Sequence, residues 1–404
     1  MSTLFIIFFT ALSSLIIYYL YYKINPTKKS DIKELYSEGL DMLVSGKKYS
    51  AYNNFKEIIS KDSSNVMAYL RLGQILRENG DNLKAIKIHK NLLLRRKLSS
   101  YELIELHKNL SKDYFNVDNK KQSIIECEKI LEIDKKNEWA IKEIIKLYKE
   151  KDDWINAEKY LNIYYNEFPD RKDNRKTAVY KVHQARNNIK DQKFKDARKD
   201  LEDALALNSE DSLIYFFIAK TYSEESNLIY EKALDVENKG LDKYNNQQEY
   251  NNHISNAKDI LSKALPLWTH FCEISPNKSW VVLPLLKDAL FALDRYSELE
   301  GILESLNKRF PDNIEILINL ADYHSHKGEF DKSLEDISKA IDKDNSSYLA
   351  KLIEIKLMLQ KENNDKLSKK LDDLINSLVK NERFQILNTT NDYQNLKILF
   401  DDNE

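Results

Sequence analysis

Residues Leu35 to Phe55 and Tyr69 to His89 carry one pattern of apolar, small and polar positions, the second a copy of the first. Gly39 falls on Gly73, Gly46 on Gly80 and Ala51 on Ala85. Within each copy the apolar residues recur every three or four positions, the spacing that lines one face of an α-helix. A glycine between two such stretches marks a turn, so the pattern predicts pairs of amphipathic helices. The same interval returns further on, where Leu110 and Tyr114 recur as Ile144 and Tyr148, and Ser123 as Ala157. After a polar stretch over 170–176, the small and aromatic positions reappear as Ala185, Phe194, Ala197 and Ala204, and later as Ala321, Gly328, Phe330 and Ala340. No window alternates apolar and polar residues as a half-buried strand would.

Laid end to end, these signals predict helix pairs near 32–65, 66–99, 104–137, 138–171, 178–211, 212–279, 280–313 and 314–347. The sixth pair is interrupted by an Asn- and Gln-rich insertion over 224–257, and a weaker pair follows from Tyr348. The array is expected to run over 32–364, with a capping helix over 365–382 and a degenerate C-terminal tail over 383–404. A unit of about 34 residues with small residues at the helix crossings is the signature of the tetratricopeptide repeat. The expected fold is therefore all-α, a right-handed superhelical solenoid in which each pair buries its apolar stripe only against its neighbours. Such folds bind partners more often than they catalyse.

A different pattern precedes the array. From Ser2 to Tyr22 no side chain is charged, and a helix of that length reaches about 30 Å, enough to cross the hydrocarbon core. The run ends in Tyr18, Tyr19, Tyr21 and Tyr22, residues suited to the membrane interface, and Lys23, Lys28 and Lys29 follow. By the positive-inside rule these lysines place the array in the cytoplasm and the N-terminus outside. The prediction is a single-pass inner-membrane anchor over 1–24 with a short linker over 25–31. The alternative is an export signal that delivers the repeats to the periplasm, where they would act as an envelope-assembly scaffold.

Charge and chemistry narrow the function. With 63 Lys and Arg against 65 Asp and Glu the net charge is -2, which gives no general attraction to nucleic acid. The two cysteines, Cys127 and Cys272, are far apart and lie in predicted second helices, where they read as core thiols. No phosphate-binding glycine loop, nucleophile elbow or metalloprotease motif occurs, so no enzyme activity, no catalytic residue and no cofactor is expected. His324 and His326, with Asp322 nearby, stand two positions apart on a predicted helix and point to different faces, which makes a shared metal ion a poor fit. His89 falls on an apolar face and reads as a core histidine.

The exposed side of the first helices is the remaining candidate. The repeat register places Tyr36, Leu70, Gln74, Arg77, Lys142, Lys146 and Arg186 on that side, several of them basic. A protein partner with an acidic segment would suit such a groove.

One stretch carries more than the general repeat. Leu70 to Leu93 reads LRLGQILRENGDNLKAIKIHKNLL, with Ala85, Ile86, Ile88, His89, Asn91 and Leu92 after a glycine turn. With Trp154 in the segment Tyr148 to Ala157, and the string VLPLL at Val282 to Leu286 after Trp268 and Pro276, it resembles the lipopolysaccharide assembly protein B family. The resemblance implies an inner-membrane adaptor whose cytoplasmic repeats help an FtsH-type membrane protease degrade the deacetylase committed to lipid A synthesis. That family also ends in a zinc knuckle with two CxxC pairs. Here Ile386 and Thr389 stand near the first pair, in a tail with no cysteine, so no zinc knuckle can form.

Overall fold

In the computed structural model the described residues are 32–361, apart from 96, 239–242 and 345–346, together with 369, 371, 372 and 375. The predicted anchor, its linker and the tail over 383–404 lie outside the described residues, as does most of the predicted cap. Among the described residues no helix is long and apolar enough to cross a membrane. All regular structure among them is helical, and it divides into two compact units, Met1–Asp170 and Arg171–Glu404.

The first unit contains α1 (Ile32–Val44), α2 (Lys48–Lys61), α3 (Val66–Glu78), α4 (Asn82–Leu93), α5 (Ser100–Asn116), α6 (Lys120–Ile133), α7 (Glu138–Lys149) and α8 (Trp154–Glu167). Each odd-numbered helix forms a hairpin with the helix that follows it, and each pair contacts the next. The hairpin turns share one device, a residue with positive φ just ahead of the second helix. It is Gly46 (φ 74°) and Gly80 (φ 87°) in the first two pairs, and Asp118 (φ 56°) and Asp152 (φ 57°) in the next two. Aspartate is among the few side chains that tolerate this left-handed region.

Asparagine side chains cap the first helices of the second and fourth pairs, where Asn65 and Asn137 accept from the amides of Ala68 and Ala140. The third pair departs from the predicted boundary at 104. Ser99 and Glu102 form a reciprocal capping box, which starts α5 about one turn early. In consequence the step from α4 to α6, Asn82 to Lys120, is longer by a helical turn than the steps on either side, Lys48 to Asn82 and Lys120 to Trp154.

With that step allowed for, the helix crossings line up. Gly39 faces Phe55, Gly73 faces His89, and Ser111 faces Cys127 with its hydroxyl 3.1 Å from the thiol. A Cβ on Gly73 would overlap the His89 ring, which is 0% exposed and cannot swing away. Gly73→Ala is therefore expected to cost about 1–3 kcal/mol through overpacking, seen as a lower urea midpoint. An unchanged midpoint would mean that α3 and α4 separate freely.

The second unit contains α9 (Asn174–Lys190), α10 (Phe194–Leu207), α11 (Ser212–Asn238), α12 (Lys243–Ser262), α13 (Leu265–Ile274), α14 (Leu283–Ala292), α15 (Glu298–Arg309), α16 (Ile314–His326), α17 (Phe330–Lys343) and α18 (Tyr348–Lys361). The Asp173 side chain accepts from the amides of Arg175 and Lys176 and starts α9 at Asn174, ahead of the predicted 178. The predicted insertion, whose order the sequence leaves open, takes a definite form. Its described residues are helical: α11 extends to Asn238, and α12 packs along it, tied by Ser226 Oγ donating to the Ala257 carbonyl at 2.8 Å. Beyond the insertion the helix breaks at Lys263 and Ala264, so that α13 alone carries Trp268, Phe271 and Cys272 into the core. There they meet Phe216 of α11, and Leu283, Leu286 and Leu290 of α14.

Candidate functional site

The first helices of the first unit present a basic and aromatic face built from α5 and α7. Lys108, Lys112 and Phe115 come from α5, and Trp139, Lys142 and Lys146 come from α7. The two helices interlock through cations and rings. Lys108 and Lys112 hold their ammonium groups 5.7 and 5.6 Å from the Trp139 ring centre, while Lys146 lies 4.8 Å from that of Phe115. Such contacts add about 0.5–1 kcal/mol each at exposed sites and fix where the charge sits.

The carboxylates nearby do not neutralise all of this charge. Glu105 reaches Lys108 at 2.9 Å, Glu138 reaches Lys142 at 2.7 Å and Glu143 approaches Lys146 at 3.7 Å. These pairs are solvent-facing and weak. Lys112 has no ion-pair partner among the described residues. Loss of solvent beside the indole, and then the Arg77 guanidinium, push the Lys112 ammonium below its ordinary pKa, against the opposing pull of Glu143 and Glu105. An ammonium group in that position gains from an incoming carboxylate.

The seven residues expected on the groove divide. Lys142 and Lys146 are exposed on this face. Tyr36 is half-buried, edge-on to Phe55 at 5.5 Å, and Gln74 bridges Arg71 and Glu78 along α3. Two of the seven point inward, which corrects the expectation. Leu70 is 3% exposed and packs with Leu92, Leu106 and Leu110. Arg77, one heptad on, turns to the same side of α3 and is consumed by Asp113 at 2.7 Å and by Asn109. Both lie where α3 meets α5, so neither is available to a partner. Arg186 belongs to the second unit, half-buried and 5.9 Å from the Phe217 ring. Beside it, burial lowers the pKa of Lys220 against the opposing pull of Glu224, with a smaller push from the Arg186 charge.

Lys108, Lys112 and Trp139 lie outside the expected set. Their signal is present in the sequence, since Lys108 and Lys112 stand one repeat before Lys142 and Lys146. The two histidines expected to diverge do so. His324 bonds Asp336 of α17 at 2.8 Å, and His326 faces Asp322 of its own helix at 3.5 Å. Cys127 and Cys272 are buried, and burial pushes both thiols up to about 12, which leaves them protonated and inert at neutral pH.

The hairpins, their regular steps and their small-residue crossings define an all-helical, tetratricopeptide-like repeat protein. No family profile and no curated protein matches the chain. Among solved structures it is similar to a tetratricopeptide repeat protein from Parabacteroides merdae, with 12% identity over 81% of this chain and 98% of that one, at a TM-score of 0.28. It is also similar to YrrB, a tetratricopeptide protein with an unusual peptide-binding site, with 12% identity over 48% of this chain and 94% of that one, TM-score 0.34. A third is the C-terminal part of a repeat protein from Cytophaga hutchinsonii, with 12% identity, 78% and 97% coverage and a TM-score of 0.35. At scores this low the likeness adds nothing to the fold read from the helices themselves.

Proposed function

We propose that this chain is a non-catalytic adaptor that docks an acidic segment of a protein client on the first-helix face of α5 and α7. The observation that carries the reading is Lys112, a cation held against Trp139 with no carboxylate within ion-pair distance among the described residues, flanked by Lys108 and Lys146. A client carboxylate placed there would gain a charge-assisted hydrogen bond, and the Trp139 and Phe115 rings would supply apolar area around it.

The resemblance to lipopolysaccharide assembly protein B gives the finer reading. In it the uncharged run from Ser2 to Tyr22 anchors the chain in the inner membrane, the repeats face the cytoplasm, and the clients are an FtsH-type protease and the deacetylase of the lipid A pathway. The string from Ala85 to Leu92 supports that assignment, and tethering would raise the local concentration of partners already at the membrane.

Crosslinking in native membranes tests both levels, with the full-length chain compared with Lys112→Glu. The protease or the deacetylase should be recovered with the unaltered chain, and its apparent affinity should fall at least about tenfold in the variant, or roughly 1.4 kcal/mol. Recovery that ignores the charge reversal would move the docking site elsewhere. Recovery of periplasmic proteins only would replace the adaptor with an envelope scaffold.

A further inference from the structure

We propose that Glu300, Glu304 and His324 form a binding site for a divalent transition-metal ion of the zinc class, joining α15 to α16. Glu300 and Glu304 are one helical turn apart on α15 and share a face, while His324 arrives from α16. Their ligand atoms all lie within 4.8 Å of one another, near enough for side-chain adjustment to enclose an ion at roughly 2.0–2.2 Å. His324 and His326 diverge and cannot share an ion; this site uses His324 alone.

The histidine is the informative member. It is 6% exposed, and its Nδ1 lies 2.8 Å from Asp336 Oδ2 of α17. A carboxylate on one ring nitrogen orients an imidazole so that the other offers its lone pair, the usual support of a metal-ligating histidine. That other nitrogen, Nε2, faces Glu300 Oε1 at 3.9 Å, too far for a hydrogen bond. With Nδ1–H donating to Asp336, Nε2 would turn a lone pair toward the Glu300 carboxylate, and a cation between them would satisfy both. Glu304 is exposed, has no ion-pair partner among the described residues, and can supply the third ligand, leaving one position for water. One nitrogen and two carboxylate oxygens are a donor set that zinc accepts.

The competitor is Lys327. Its Nζ contacts both Glu300 oxygens, at 3.1 and 2.8 Å, and also Glu329 at 3.3 Å; the Tyr323 hydroxyl donates to Glu300 at 3.4 Å. An ion would have to take one Glu300 oxygen from that ammonium group. Glu300 and Glu329 share the ammonium groups of Lys327 and Lys332, while Asp336 meets His324 and Glu304 has no ion-pair partner among the described residues, so four carboxylates stand against two lysines and the surroundings remain anionic.

The test is a Zn²⁺ titration of the tag-free full-length chain, stripped with a chelator and followed by calorimetry and by thermal unfolding. One site per chain is expected, with a higher unfolding temperature when zinc is present. Glu304→Gln should weaken binding about tenfold or more and remove the thermal shift. Because Glu304 is exposed and unpaired, that variant folds, which keeps the comparison fair. Lys327→Met should tighten binding, since the competing ammonium is gone. An isotherm unchanged by Glu304→Gln would assign the binding to surface histidines such as His326. No binding at all would mean that Nε2 holds a proton instead, and either outcome overturns the proposal.

Discussion

Asp113→Ala is expected to destabilise the first unit by about 3–5 kcal/mol, the range for breaking one member out of a buried ionic group. Asp113 is 0% exposed and stands on α5 between Arg77 of α3 and His89 of α4. Its two oxygens take one partner each, Oδ1 from the guanidinium and Oδ2 from the imidazole Nδ1. With the carboxylate gone, Arg77 keeps only the Asn109 side chain and carbonyl at 3.3–3.4 Å. Its charge would remain in a setting where its side chain is only 9% exposed. The loss should appear as a lower urea midpoint and as faster amide exchange confined to α3, α4 and α5. A loss under about 1 kcal/mol would mean that water enters the junction and hydrates the guanidinium.

The chain itself suggests the control. At the junction of the first two pairs the positions matching Arg77, His89 and Asp113 are Leu43, Phe55 and Ile75, which pack together in one apolar cluster. One junction later they are Phe115, Cys127 and Leu147, again in one cluster. Replacing the whole trio by Leu, Phe and Ile should therefore recover most of the stability that the single change removes, as buried ionic groups often exchange for apolar ones without loss. Gly73 is already in place to receive a phenylalanine, as Gly39 receives Phe55.

The same junction shows why some of this protein is legible in sequence and some is not. Helical period and turn glycines are local, so the hairpins from α1 to α4 can be read from Gly39, Gly46, Gly73 and Gly80. The partner of His89 cannot, because Asp113 lies in the next pair and across the one step that is lengthened by a turn. Periodicity puts Leu70 and Arg77 on the groove because it identifies the face of a helix without locating the helix packed against it. Helix α12 reads only as an Asn- and Gln-rich insertion of open structure for another reason. Its aliphatic residues are confined to Ile254, Ala257, Ile260 and Leu261 near one end, too few for a clear helical period, and it packs along the extended α11 beside it. The lysine ladder on α5 and α7, by contrast, obeys the repeat register and can be completed from Lys142 and Lys146 backwards.

In the second unit the corresponding large effect is expected from Asp322. Lys287 of α14, Asp322 of α16 and Lys356 of α18 occupy matching places on successive first helices, and the aspartate receives both ammonium groups. The Lys356 side chain is 4% exposed and has Asp372 as a second partner at 2.6 Å; Lys287 has Asp322 alone among the described carboxylates within ion-pair distance. Asp322→Ala would leave Lys287 half-buried beside its apolar neighbours, at a cost of about 3 kcal/mol or more. The pH dependence gives the sharper test. Burial by itself would raise the Asp322 pKa, but His326, Lys287 and Lys356 outweigh it and hold the carboxyl well below the usual range. A carboxyl with a folded-state pKa below its unfolded value of about 3.9 contributes stability in full above that pH and loses it as pH falls toward the folded value. Urea midpoints of the unaltered chain and of Asp322→Ala should accordingly differ most from about pH 5 upward. Below about pH 4 the two should converge, because the unaltered protein then loses what the variant never had. Curves that stay parallel down to about pH 2 would show that Asp322 titrates like an exposed carboxylate, and that the two lysines are held by packing without it.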